Sequence, residues 1–114
     1  MILAGLILGA LAVGVLSAFW DKIHSFLKKA AQYVKTKVIG LYQGSKVLAK
    51  RLRGRVQEIT KNYSRVEEHW KVTTVINQET FEMRELPDSV SSRLALSEEA
   101  DITDELELEL QNAQ

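Results

Sequence analysis

The chain has 114 residues, with 15 Lys+Arg, 15 Asp+Glu, 2 His, 1 Pro and no Cys. That length suffices for one small domain, and the lack of cysteine excludes disulfide scaffolds, Cys-ligated zinc, Fe–S clusters and thiol nucleophiles. The net charge of zero hides a polarised chain: residues 1–70 carry 12 basic and 4 acidic side chains, and residues 71–114 carry 3 and 11.

Ile2 to Trp20 holds no charged residue. Nineteen residues at ~1.5 Å each give roughly 28 Å of helix, close to the ~30 Å hydrocarbon core of a bilayer. The composition predicts a transmembrane helix over residues 1–20, with Trp20 at the interface. Lys22, Lys28, Lys29, Lys35 and Lys37 follow within reach of lipid head groups. By the positive-inside tendency this is a single-pass cell-membrane anchor, N-terminus outside and C-terminus cytoplasmic. Secretion after signal cleavage is the lesser reading, because only the Met1 amine precedes the apolar run. Small residues at Gly5, Gly9, Ala10, Gly14 and Ala18 form ridges of the type that pack membrane helices together.

Residues 21–70 lack proline and place apolar side chains at helical spacing. They read as a basic amphipathic helical stalk, bent near Gly44. Its second half offers a packing seam of Leu48, Leu52, Val56, Ile59, Tyr63, Val66 and Trp70, with coiled-coil-like seven-residue tracks. The cluster Lys46 to Arg55 invites a nucleic-acid reading, but no aromatic residue is interleaved there for base stacking, and that partner is disfavoured.

Residues 71–114 form an acidic region with short strands. Residues 71–76 and 81–86 read as a small hairpin around a polar turn. Pro87-Asp88-Ser89 opens either a turn or a short helix. In the tail, Leu106, Leu108 and Leu110 alternate with glutamates, and the period favours a strand offered to a partner over a helix. The fold class expected is therefore mostly α: a single transmembrane helix, a long basic helix, then a small hairpin and acidic segment.

No catalytic constellation, cofactor motif or metal-ligand spacing is present. Glu67-Glu68-His69 are adjacent, and neighbouring residues on a helix point apart. The expected function is a non-enzymatic membrane-anchored adaptor or structural subunit. Its partners would be membrane lipids, copies of itself, or another membrane or cytoplasmic protein. The alternative is a small toxin-, holin- or defence-like effector that oligomerises through the Gly/Ala-rich span and permeabilises the membrane.

Overall fold

The computed structural model describes residues 17–112. In order these form α1 (Ala18–Lys37), β1 (Leu41–Leu52), β2 (Arg55–Val66), β3 (His69–Glu82), a 3-10 turn (Met83–Glu85), α2 (Asp88–Leu96), β4 (Glu99–Asp101) and α3 (Thr103–Asn112). The strands make one antiparallel sheet in the order β3-β2-β1-β4. The chain is thus α+β, and the mostly helical reading is overturned.

Helix α1 forms because Phe19, Trp20, Ile23, Leu27, Ala30, Ala31 and Val34 recur on one face, all buried, while its lysines lie on the other. It ends at Val38, whose N–H still bonds the Val34 carbonyl. Gly40 then turns the chain at φ +143°. A Cβ there would lie 2.7 Å from the Arg65 carbonyl oxygen and 2.8 Å from a Val66 methyl, so glycine is required. Residues 45–70, expected to continue as helix, are instead strands β1 and β2 and the start of β3. Leu52 pairs with Arg55 around Arg53-Gly54, both with positive φ, as tight hairpin loops need. Val66 pairs with His69 around Glu67 (φ 57°) and Glu68.

The expected 71–76/81–86 hairpin is also corrected. Residues 71–76 lie inside the single strand β3, which pairs with β2 and runs on to Glu82, so of the second segment only residues 81–82 are strand and 83–85 form the 3-10 turn. Between Ile76, opposite Ile59, and Thr80, opposite Gln57, β3 bulges outward through residues 77–79. After Pro87 the chain takes the helical option, α2. Residues 103–112 form helix α3, not a strand: Leu106 and Leu110 are buried with Ile102, and Leu108 is 56% exposed. The spacing 102, 106, 110 sets one helix face against the core, and that burial outweighs the strand-like Glu/Leu alternation.

The hydrophobic core unites Phe19, Trp20, Ile23 and Leu27 of α1 with Val47, Ala49, Val56 and Phe81 of the sheet, and with Val90, Leu94, Leu106 and Leu110 of the later helices. Phe19 stands 4.9 Å from the Trp20 ring and 5.0 Å from that of Phe81. The C-terminal elements are tied to β1 by main-chain bonds from Arg51 N–H to the Glu98 carbonyl (2.7 Å) and from Ile102 N–H to the Val47 carbonyl (3.0 Å). The Thr103 hydroxyl accepts the Val47 N–H at 2.9 Å.

These placements correct the membrane assignment. Among the described residues no helix is long and apolar enough to cross a membrane. Residues 2–16 of the apolar run lie outside the described residues, and with them Gly5, Gly9, Ala10 and Gly14. The described end of that run, Ser17–Trp20, enters α1, and Trp20 is 3% exposed inside the core. It is not an interfacial aromatic. The lysines read as fixing an N-out, C-in orientation decorate a helix whose opposite face is covered by a sheet. The single-pass localisation, and the coiled coil built on the 45–70 seam, fall with these elements.

The helical reading of the tail has a direct test. Leu110→Ala should destabilise by about 2–4 kcal/mol, as truncation of a buried leucine does. Leu108→Ala should change stability by less than about 0.5 kcal/mol. Equal costs in urea unfolding would point to a strand with Leu108 and Leu110 on one packed face.

Candidate functional site

The helix-facing side of the sheet carries, along β2, the buried series Val56, Glu58, Thr60, Asn62 and Ser64. At the apolar end Val56 pairs with Phe81. At the polar end a chain of hydrogen bonds is closed. The Tyr42 hydroxyl donates to Ser45 (2.5 Å), Ser45 to the Asn62 carbonyl oxygen (2.6 Å), and the Asn62 amide to Thr60 (3.2 Å) and to the Thr73 carbonyl (3.1 Å). Burial holds the Tyr42 hydroxyl above its ordinary pKa, an effect the Ser45 bond partly offsets.

Glu58 sits between these two ends, 1% exposed, opposite Ala49 and beside the β3 bulge. Neither carboxyl oxygen has a hydrogen-bond partner. Burial pushes its pKa up to about 9, and the nearby Asn77 side chain counters this only in part. The acid is therefore held neutral at physiological pH. Outside the bulge, Asn77 to Phe81 and the Asp21, Lys22, Ser25, Phe26 and Lys29 side of α1 enclose an open cleft of about 330 Å³. Its cations and anions are mixed, and no bonded polar constellation converges in it.

The other side of the sheet is different. All three helices contribute to the core that includes Val47, Ala49, Val56 and Phe81, which is the opposite face from Leu48 and Ile59. Strand pairing sorts this open face into rows. Leu41, Arg65 and Trp70 form the first, and Gly44, Tyr63 and Val72 the second. Lys46, Lys61 and Thr74 form the third, and Leu48, Ile59 and Ile76 the fourth. Trp70, Val72 and Ile76 on the edge strand are 56%, 49% and 44% exposed. The Arg65 guanidinium lies over the Trp70 ring at 5.4 Å. The first three rows hold three cations and no acid; on the β4 side Asp101 joins the fourth row opposite Leu48, and Glu99 stands opposite Lys50 in the row after it.

The residues singled out in the sequence are redistributed accordingly. Of the expected seam, Leu48, Leu52, Ile59, Tyr63 and Trp70 do share a face, but it is the open face of the sheet; Val56 and Val66 project to the other side. Lys22, Lys28, Lys29, Lys35 and Lys37 line the outer face of α1, where Lys35 reaches the Tyr42 ring at 5.4 Å. Ala18 is the exposed first residue of α1. Leu106 and Leu110 belong to the core. Sequence reasoning missed Glu58, Val72 and Ile76; the alternation Trp70-x-Val72-x-Thr74-x-Ile76 was the available signal. Among the described residues no group of three or more His, Asp or Glu is gathered to hold a metal.

No protein-family model matches the chain, and searches of curated proteins and of solved structures found no match.

Glu58 makes the stability pH-dependent with a defined sign. Its folded pKa lies above the ordinary 4.5, so the native state keeps a proton that the unfolded chain releases. Stability from this group is fully present below about 4.5 and is lost as pH rises toward 9. Glu58→Gln should therefore match the wild type near pH 4.5 and exceed it increasingly at higher pH, by more than about 1 kcal/mol at pH 7.5. The difference between the two urea-unfolding curves isolates Glu58. A constant difference across that range would show the carboxyl to be ionised in the fold.

Proposed function

We propose that this chain is a non-enzymatic binding domain that engages a protein partner through the face of its sheet that no described element covers. The observation that carries this reading is the run of half-exposed Trp70, Val72 and Ile76 on an edge strand, beside Tyr63 and Leu41. A sheet in a two-layer α+β domain normally solvates its second face with polar residues, and contiguous exposed apolar side chains mark contact surfaces. Tryptophan, tyrosine and arginine are also the side chains that most often anchor interfaces. The adaptor role expected from the sequence survives in this form, with the sheet replacing the helical seam as the presenting surface.

Several features support binding over catalysis. The cleft beside α1 gathers no nucleophile–base pair, and the one strongly perturbed carboxyl, Glu58, is sealed beneath the bulge. The open face, by contrast, offers shape, apolar area and charge together. The effector alternative rests on the Gly/Ala-rich span of residues 1–20, of whose ridge Gly5, Gly9, Ala10 and Gly14 lie outside the described residues and Ala18 opens α1.

Photo-crosslinking tests the surface. A benzoyl-phenylalanine in place of Val72 should yield a discrete protein adduct in cells, and one in place of the exposed Tyr33 of α1 should not. Combining the Val72 probe with Trp70→Ser and Ile76→Thr should abolish the adduct while the far-ultraviolet circular dichroism stays unchanged. Adducts from position 33 alone would move the interface to α1.

A further inference from the structure

The chemistry of the open face specifies its occupant more narrowly than a generic apolar partner. Trp70, Val72, Thr74 and Ile76 point to the same side at the two-residue period of a strand. They lie on β3, which pairs with β2 on one side and with no strand on the other among the described residues. The pairing of β3 with β2 is regular from His69 to Ile76 and is interrupted only at the 77–79 bulge. An unpaired edge of this kind is a template for another strand. Behind it, Arg65, Lys61 and Lys46 form a band of positive charge in rows that hold no acid, while Asp101 and Glu99, opposite Leu48 and Lys50, lie at the far β4 side of the face.

We propose that the outer edge of β3 and the adjoining open face receive an extended acidic segment of a protein partner, whose apolar side chains alternate with carboxylates. This inference rests on the binding-domain reading above and names the partner's chemistry. Main-chain pairing with β3 would supply affinity that is independent of sequence. Alternate apolar side chains would meet Trp70, Val72 and Ile76, and carboxylates would meet Lys61, Lys46 and Arg65.

Charge complementarity decides between the occupants. A second copy packed through the β3 side of the face would set Arg65 and the Lys46/Lys61 row against themselves, since Asp101 and Glu99 lie at the β4 side. Single-stranded nucleic acid would use the cations, but base stacking would have only Tyr63 and a Trp70 already covered by Arg65. The exposed Leu41, Val72 and Ile76 have nothing to offer a sugar–phosphate chain. An acidic peptide with apolar alternation satisfies both halves of the surface.

The test uses the full chain and three probes: a capped synthetic peptide alternating Glu and Val, its Lys/Val counterpart, and oligothymidylate. Binding is read from amide shifts and amide exchange in isotope-labelled protein. The Glu/Val peptide should shift and protect amides of residues 69–76, and its affinity should fall as salt rises. Lys46→Glu combined with Lys61→Glu should weaken it about tenfold or more and let the Lys/Val peptide bind instead. If those variants misfold, the salt dependence and the map of protected amides in the wild type still decide. The inference is overturned if the Glu/Val peptide does not bind, if its shifts map to the α1 cleft, if oligothymidylate binds more tightly, or if the chain self-associates through β3. A crosslink at position 72 without peptide binding would leave the binding face in place and remove only the acidic-strand occupant.

Discussion

The contact of α1 with the sheet is the constraint from which the rest of the architecture follows. One half of the helix brings large apolar side chains, Phe19, Trp20, Ile23 and Leu27, onto Val47, Val56 and Phe81. The other half brings Ala30, Ala31 and Val34, which lie outside that apolar cluster although they are buried. The sheet at this end presents Ser45, Thr60, Asn62 and Ser64. Small side chains allow a helix to approach such a surface closely, and the hydrogen bonds of Ser45, Asn62 and Thr60 run within the sheet layer. Because Ser45, Asn62 and Thr60 each have fixed partners, a one-residue slip of β1 on β2 would break the chain of bonds. The polar end thus fixes register, and the apolar end supplies most of the burial.

Placing the three described helices on one side leaves the second face of the sheet, among the described residues, to be managed by its own side chains. Leu48 and Ile59 at the centre are buried there although no described element covers them. Lys46, Lys50 and Lys61 flank them, and their methylene stems shield the apolar atoms while the ammonium groups stay in water. Toward β3 this shielding gives out, and Trp70, Val72 and Ile76 remain half exposed. The gradient from shielded to bare runs across the strands and ends at the free edge, so apolar surface, positive charge and unpaired backbone coincide there.

Part of this was legible in the sequence. The buried face of α1 is visible from its 3.6-residue spacing, but the bend expected near Gly44 is instead the end of the helix at Lys37, with the turn made at Gly40. The strands β1 and β2 were hidden by an inverted pattern: their covered side carries Ser45, Glu58, Thr60, Asn62 and Ser64, and their open side carries Leu48, Ile59 and Tyr63. Read for burial, the apolar positions 48, 52, 56, 59, 63 and 66 imitate a helix stripe. The punctuating signal was Arg53-Gly54 between two stretches of equal length, and it was outweighed by that coincidence. Trp20 misled for another reason, since an aromatic at the end of an apolar run looks the same whether it meets head groups or a core. In the tail, propensity and the i, i+4 set of Ile102, Leu106 and Leu110 prevailed over a two-residue alternation that was genuine but had no sheet edge to join.

The order of the strands has a kinetic side. β1, β2 and β3 form a meander joined by two-residue loops, so their pairing needs little chain entropy and can form locally. The fourth strand reaches β1 only after the whole of β2, β3 and α2, and the Val47–Thr103 bond that secures it spans 56 residues. Closure of that long loop joins Ala100, Ile102, Leu106 and Leu110 to a core already begun by the meander and α1. The C-terminal segment is therefore the late-docking and first-releasing unit of the domain. Its release would uncover residues 47–51 of β1, so that the short β4 edge gives way to the full-length edge of β1.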